Sequence, residues 1–316
     1  MKNTILLYLL FLGPVAFSQP TYTSWLNKNV HPIAADTATH HDDLSFLPEV
    51  LHHNLVIGLG EASHGTREFY LQKKRVIQFL VTRLQYKNLG FEMSNSLTDP
   101  INQYLANGEG NLKDLTNSMV LYGTEEIYEL FQWIADYNKT QQQENKVVLF
   151  GFDREDSWHD VLARERLMAE NIVNYQKSSP HKTMIWAHNI HIAKDTTMAQ
   201  VKAVGSYLKQ AFGQQYYALG LDTYKGSVNV LADGQFEAHA FETPKESFSA
   251  IFAGADEERF YVDFDKALNP FTSMQQPITH INSNWTEART LPIRPGLDFN
   301  GILFIRETTP SRRLAK

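Results

Sequence analysis

The sequence predicts an α/β fold. The expected form is a mostly parallel central sheet with helices on both faces and helical segments walling a cleft at the C-terminal edge of the strands. Three observations predict it. Short apolar runs alternate with amphipathic stretches from Asn54 to Leu221, the order that joins parallel strands by crossover helices. Four successive apolar runs stop at ionisable residues: Asn54 to Leu59 before Glu61 and His64, Leu89-Gly90-Phe91 before Glu92, Val147 to Phe152 before Asp153-Arg154, and Met184 to Ala187 before His188 and His191. In a parallel sheet those ends share one edge, where α/β proteins bind ligands. Finally, 316 residues that are 43% hydrophobic supply ample core, and no linker clearly divides them.

Residues 1–18 read as an export signal. Lys2 is the positive start, Ile5 to Phe17 is apolar apart from Gly13 and Pro14, and Ala16-Phe17-Ser18 offers small residues two apart, so the mature chain is expected to begin at Gln19. Residues 19–316 form the expected single domain. The chain has no Cys, which removes disulfides, thiolate ligands, a Cys nucleophile and a lipobox together. Export without Cys suits a bacterial periplasm or the medium. No later segment is long and apolar enough to span a bilayer, so no stable membrane insertion is expected after cleavage.

In the first part of the domain, His40, His41, Asp42 and Asp43 read as a solvated helix start, and Phe46, Leu47, Val50 and Leu51 as a short packing helix. Strand Asn54–Gly60 leads to helix Thr66–Leu84, where Phe69, Val76, Ile77, Leu80 and Leu84 recur at helical spacing and Thr66 or Ser63 is the candidate cap. Strand Asn88–Glu92 follows. Shorter helices, Leu97 to Leu105 and Leu112 to Tyr122, break at Gly108-Glu109-Gly110. Helix Glu125–Asn138 presents Ile127, Leu130, Phe131 and Ile134 on one face, and Gln141 to Asn145 is a polar connector.

Strand Lys146–Phe152 leads to helix Ser157–Tyr175, which Ser178-Ser179-Pro180 stops. Strand Lys182–Ala187 and helix Met198–Phe212 come next. Tyr216–Asp222 and Ser227–Leu231 read as a hairpin turning near Lys225-Gly226. Helix Glu246–Phe252 and strands Phe260–Phe264 and Ile302–Arg306 complete the series.

Composition narrows function. Thirty-five acidic residues against 29 basic give a formal net charge of -6 with no long basic run, which argues against a nucleic-acid partner. Gly-x-Ser-x-Gly, Gly-x-x-x-x-Gly-Lys-Ser/Thr, Gly-x-Gly-x-x-Gly and His-Glu-x-x-His are absent. What remains is a set of carboxylates and imidazoles without an obvious covalent nucleophile. Such a set suits a general base acting on water, or water held on a metal. Each residue also has a structural reading: Glu61 as a helix cap, Glu92 as a carboxylate paired with Arg67 or Arg75, Asp153 as an ion pair with Arg154, His188 and His191 as core histidines. Trp133, Trp158, Trp186 and Tyr122 read as packing, with the lining of an apolar substrate pocket as the alternative.

Gly60-Glu61-Ala62-Ser63-His64-Gly65-Thr66-Arg67-Glu68-Phe69 resembles the signature of the erythromycin esterase family. Gly90-Phe91-Glu92, Phe150-Gly151-Phe152-Asp153, Ala187-His188-Asn189-Ile190-His191 and Phe304 to Pro310 resemble it too, in order along nearly the whole mature chain. The resemblance implies hydrolysis of a carboxylic ester or lactone, a macrolide among the candidates, with no required metal and no cofactor. It implies His64 as the base that activates water, Glu61 as its orienting partner, and Glu92, His188 and His191 completing the site. Arg67, Arg75 and Asp153 are the substrate-binding or charge-balancing candidates. The segments between Glu92 and Trp133 and between Asp153 and His188 look shorter than in the macrolide-inactivating enzymes. A second reading keeps the fold and places a divalent metal among Glu61, His64, Glu92 and His191. A third is an exported binding protein without turnover.

Overall fold

The computed structural model describes residues 22–232, 235–285 and 289–315. The expected export signal lies outside them. The strands are β1 (His31–Pro32), β2 (Val56–Leu59), β3 (Tyr86–Phe91), β4 (Val148–Gly151), β5 (Lys182–Trp186), β6 (Tyr216–Ala232), β7 (Gln235–Glu242), β8 (Arg259–Asp263), β9 (Gln276–His280), β10 (Arg289–Ile293) and β11 (Gly301–Thr308). The helices are α1 (Tyr22–Asn29), α2 (Leu47–Val50), α3 (Arg67–Arg83), α4 (Asn95–Asn107), α5 (Leu112–Asn117), α6 (Glu125–Lys139), α7 (Val161–Ser178), α8 (Asn189–Ile192), α9 (Val204–Phe212) and α10 (Phe248–Ala253).

Nine strands form one sheet in the order β1-β8-β11-β6-β2-β5-β3-β4, with β7 on β6; β9 and β10 pair separately. From β11 through β6, β2, β5 and β3 to β4 every neighbour is parallel. Only β1, β8 and β7 join antiparallel. The fold is therefore mixed α/β with a mostly parallel sheet, as the alternation of elements requires.

Side-chain alternation explains why both faces are covered. Ile57, Leu59, Met184 and Trp186 enter one core with the apolar stripes of α3 and α6. Val56, Ile185 and Ala187 enter the other, with Met168 and Ile172 of α7, Leu208 of α9 and Phe252 of α10. A strand buried on both faces reads as a continuous apolar run, which is how these strands look in the sequence. On α6, Ile127, Leu130, Phe131 and Ile134 are fully buried, each stabilising by about 1.5–3 kcal/mol relative to exposure. Among the described residues no helix is long and apolar enough to cross a membrane.

The outer edge of β4 ends the sheet, and asparagines close it. Asn138 bonds the N–H and C=O of Val147, Asn102 those of Leu149, and Asn95 Oδ1 accepts from Gly151 N–H. Side chains on α4 and α6 thus replace the missing neighbouring strand.

Several boundaries differ from the sequence reading. The expected hairpin at Lys225-Gly226 is a single strand, β6, whose true partner is β7. Gly226 (φ +143°) marks a close approach instead of a turn: a Cβ there would lie 2.0 Å from Thr308 O on β11. α9 begins at Val204 instead of Met198, and α7 at Val161, where Asp160 caps it by accepting from Ala163 N. α5 ends at Asn117, with a separate 3-10 turn at Val120–Tyr122. Neither Ser63 nor Thr66 caps α3; their hydroxyls bond each other.

Candidate active site

The strand ends place four loops side by side. β2 delivers Glu61 and His64, β5 His188 and His191, β3 Glu92, and β4 Asp153, on adjacent strands of one parallel edge.

Glu61 is fully buried and lies between two cations or potential cations. His64 Nδ1 stands 2.8 Å from Oε1, and Lys73 Nζ donates to Oε2 at 2.7 Å. Glu61 is therefore a bridge and not a helix cap. Lys73 comes from α3, is buried, donates also to Ala187 O at 3.4 Å, and sits 4.3 Å from the centre of the Trp186 ring. Burial lowers its ammonium to about 8, although Glu61 pulls the other way. A carboxylate on Nδ1 fixes the proton there and leaves Nε2 of His64 as a lone-pair acceptor. Nε2 makes no hydrogen bond to the described residues, and the side chain keeps 10% of its surface open.

Glu92 faces this dyad from β3. Its Oε1 meets His191 Nε2 at 3.0 Å and Arg164 at 3.2 Å; its Oε2 accepts from His188 N–H at 3.1 Å. Burial would raise the carboxyl, but His191, His64 and Arg164 outweigh it and hold Glu92 well below the usual carboxylate range. On its other nitrogen, His191 meets Glu165 at 2.7 Å. Burial alone would lower this imidazole, yet Glu92 and Glu165 raise it to about 10.

His188 is close but occupied. Its ring centre lies 5.1 Å from that of His64 and 4.7 Å from that of His280. Nδ1 accepts from Ile190 N at 3.4 Å, so Nε2 carries the proton and donates to Ile281 O at 3.3 Å. Burial, then His280 and His64, keep it well below its ordinary value, so it is neutral. The next residue, Asn189, is fully buried and exchanges hydrogen bonds with Leu221 of β6. Gly60 makes room for it, since a Cβ there would lie 2.1 Å from Asn189 Oδ1.

Asp153 pairs with Arg164 at 2.7 Å and accepts from Trp158 Nε1 at 3.0 Å. The expected Asp153–Arg154 pair does not form, because the Arg154 side chain turns outward to Asp156. Arg67 and Arg75 also point elsewhere. Arg67 meets Asp36 and Glu126, and Arg75 meets Asp43. Both line a separate groove of about 1340 Å³ with His40, His41, Glu126 and Trp133. Charge balance at the site comes instead from Lys73 and Arg164. Tyr122, read as packing, places its hydroxyl 3.4 Å from His64 Nδ1. Burial and the nearby Glu61 and Glu92 keep that phenol protonated.

The residues of the metal reading do not make a metal set. Glu61 spends its oxygens on His64 and Lys73, and Glu92 on His191, Arg164 and a backbone N–H. Among the described residues no group of three His, Cys, Asp or Glu is placed to hold an ion.

Sequence reasoning missed Lys73, Arg164, Glu165 and His280. A signal existed for two of them. Phe69, Lys73, Val76, Ile77 and Leu80 share one face of α3, and Glu165, Met168, Ala169 and Ile172 one face of α7. A charge on an apolar stripe must be paired when buried.

Fold and site together define an α/β protein with a mostly parallel sheet and a buried cluster of imidazoles, carboxylates and an ammonium at the C-terminal strand edge. The chain is similar to the erythromycin esterase family. That family's model, described as erythromycin esterase, matches residues 153–308, a span holding Asp153, His188 and His191, with Glu61, His64 and Glu92 ahead of it. A putative hydrolase of Bacillus subtilis strain 168, YbfO, is 30% identical over 141 residues, 44% of this chain and 30% of that protein. Erythromycin esterase type II of Escherichia coli is 27% identical over 114 residues, 36% and 26% of the two chains. The matched stretches thus span less than a third of either relative's length. Three solved structures share the fold. A Bacillus cereus protein has TM-score 0.84 at 20% identity, and a succinoglycan biosynthesis protein 0.83 at 19%, each over 93% of this chain and 98% of the other. The erythromycin esterase EreC, as a mutant in its open conformation, has 0.67 at 12%, over 86% and 95%.

Proposed function

We propose that this chain is a hydrolase of carboxylic esters or lactones in which His64 activates water. One observation carries the reading: the Lys73–Glu61–His64 chain of contacts at 2.7 and 2.8 Å. It orients the imidazole through Nδ1 and leaves Nε2 without a hydrogen bond to the described residues, on a side chain 10% exposed.

The proton steps follow from that geometry. Nε2 takes a proton from water as the oxygen attacks the acyl carbon. The new imidazolium is stabilised directly by Glu61 and across the cleft by the permanently ionised Glu92. Decay of the tetrahedral adduct breaks the acyl–oxygen bond, and the His64 proton returns to the departing alkoxide. General-base assistance of this kind contributes about 10²–10⁴-fold; orientation and charge placement supply the remainder.

The substrate in this reading is an ester or lactone with a large apolar body. Trp158, Val161 and Leu162 are 59%, 63% and 58% exposed around the first turn of α7, one turn before Arg164 and Glu165 enter the cleft. The name of the Escherichia coli relative adds macrolides to the compounds worth testing. Lys2, the Ile5–Phe17 run and Ala16-Phe17-Ser18 support export with cleavage before Gln19, which N-terminal sequencing of the mature protein checks.

Purified protein is incubated with macrolides and simple aryl and alkyl esters, and products are weighed by mass spectrometry. The expected product is substrate plus one water. A full panel returned intact overturns the reading.

A further inference from the structure

Two adjacent residues of opposite charge, Arg164 and Glu165, reach Glu92 and His191 from α7. Arg164 forks onto Asp153 at 2.7 Å and Glu92 at 3.2 Å. Glu165 is buried and divides its oxygens: Oε1 meets His191 Nδ1 at 2.7 Å and Oε2 accepts Val204 N–H, at the start of α9, at 2.9 Å. His191 thus has a carboxylate on each ring nitrogen, Glu92 on Nε2 and Glu165 on Nδ1. The Glu165 contact is an ion-pair distance and not an aligned hydrogen bond; a carboxylate within 3.0 Å of each ring nitrogen favours the doubly protonated cation.

We propose that Arg164 and Glu165 are a positioning pair: Glu165 holds His191 as a cation, and His191 with Arg164 locks Glu92 as the anion that stabilises the imidazolium formed on His64. The role of Glu92 in this inference rests on the hydrolytic reading; the clamp on His191 does not. It assigns His191 a fixed charge instead of a proton-shuttling role. It also explains why an acidic residue occupies the apolar face of α7. The ionisable groups facing His191 are Glu92 beyond β3, Glu165 with neighbouring Arg164 on α7, and His188 ahead of its own helix. Only the two carboxylates favour its charged form.

The test uses the full chain with Glu165→Gln, and Glu165→Asp as the conservative variant. His191 titration is followed by NMR of isotope-labelled imidazole nitrogens, and ester hydrolysis is measured from about pH 5 to about pH 10, a range spanning the ordinary histidine titration. For Glu165→Gln the His191 midpoint should fall towards the ordinary histidine range. kcat should drop about tenfold or more above that new midpoint, with KM little changed, because an unclamped His191 no longer locks Glu92. Glu165→Asp should move both readings less. A merely structural Glu165 would lower stability without moving either the midpoint or the kcat–pH profile, and that result overturns the proposal. If Glu165→Gln does not fold, Glu165→Asp decides: a downward movement of the His191 midpoint supports the clamp and an unmoved midpoint overturns it. The NMR measurement needs no substrate, so wild-type protein inert towards every ester would sink the hydrolytic reading while the clamp is still judged.

Discussion

Lys73 and Glu61 are fully buried, and each is tolerable only because of the other. Removing one partner of a buried pair typically costs about 3–5 kcal/mol, because the survivor is left uncompensated. Lys73→Met should therefore unfold at a lower denaturant midpoint by an amount in that range. The double variant Glu61→Gln/Lys73→Met should be clearly less destabilised than the sum of the singles, which chemical denaturation of the four proteins measures. Two histidines make stability depend on pH with opposite signs. His191 is raised to about 10 from an ordinary value near 6.5, so its contribution is fully present below about pH 6.5 and is lost as pH rises through 10. His188 is depressed, so its contribution is present above about pH 6.5 and is lost as pH falls and the unfolded chain takes up the proton. Lys73, lowered to about 8, offsets part of the alkaline loss once the pH passes 8. Compared with the wild type, which keeps the imidazole, His191→Asn should flatten the decline in stability between about pH 6.5 and 8 in urea titrations at stepped pH. That these acids and imidazoles meet was legible at this scale because they stand at the ends of apolar runs. Lys73 and Glu165 were not, because a single charge within a helical stripe shows its burial only when its neighbours on the helix face are counted. Arg67 and Arg75 misled for the converse reason: residues eight apart on a helix share a face, but theirs turns to Asp36, Glu126 and Asp43.

At the scale of elements, the open edge of β4 carries a clear expectation. Asn102 bonds both backbone groups of Leu149, with its side chain part-buried. Asn102→Ala leaves an N–H and a C=O unpaired at a strand edge. It should cost about 1–3 kcal/mol and increase self-association, read by thermal melts and light scattering; a variant as stable and as dispersed as the wild type would show that the cap is idle. Parallel strands and their helices were readable from period alone, since each strand is a short apolar run and each helix a stripe. β7, β9 and β10 were not. β7 is mostly exposed, so it lacks the apolar signature, and Lys225-Gly226 imitates a turn where the chain stays extended against β11. Helix starts were displaced for a related reason: Asp160 fixes the start of α7 by a bond no periodicity reveals.

For the molecule as a whole, the sheet order turns distant sequence segments into one site. β5 inserts between β2 and β3, which brings His188 against His64 and His191 against Glu92. The C-terminal segment then ties the loops from above. Thr309 N–H and hydroxyl bond Glu68, Ser311 N–H bonds Gly65 O, and Arg312 N–H bonds Glu126. The convergence of strand ends was legible from topology rules; this strap was not, because nothing in residues 308–313 announces a partner. The central claim is that this arrangement makes Nε2 of His64 the base that deprotonates water. Its most direct test is the steady-state hydrolysis of an ester accepted by the wild type, compared with His64→Ala. The account predicts a fall in kcat of about 10²–10⁴-fold with KM little changed. An unchanged kcat in a folded His64→Ala protein would contradict it.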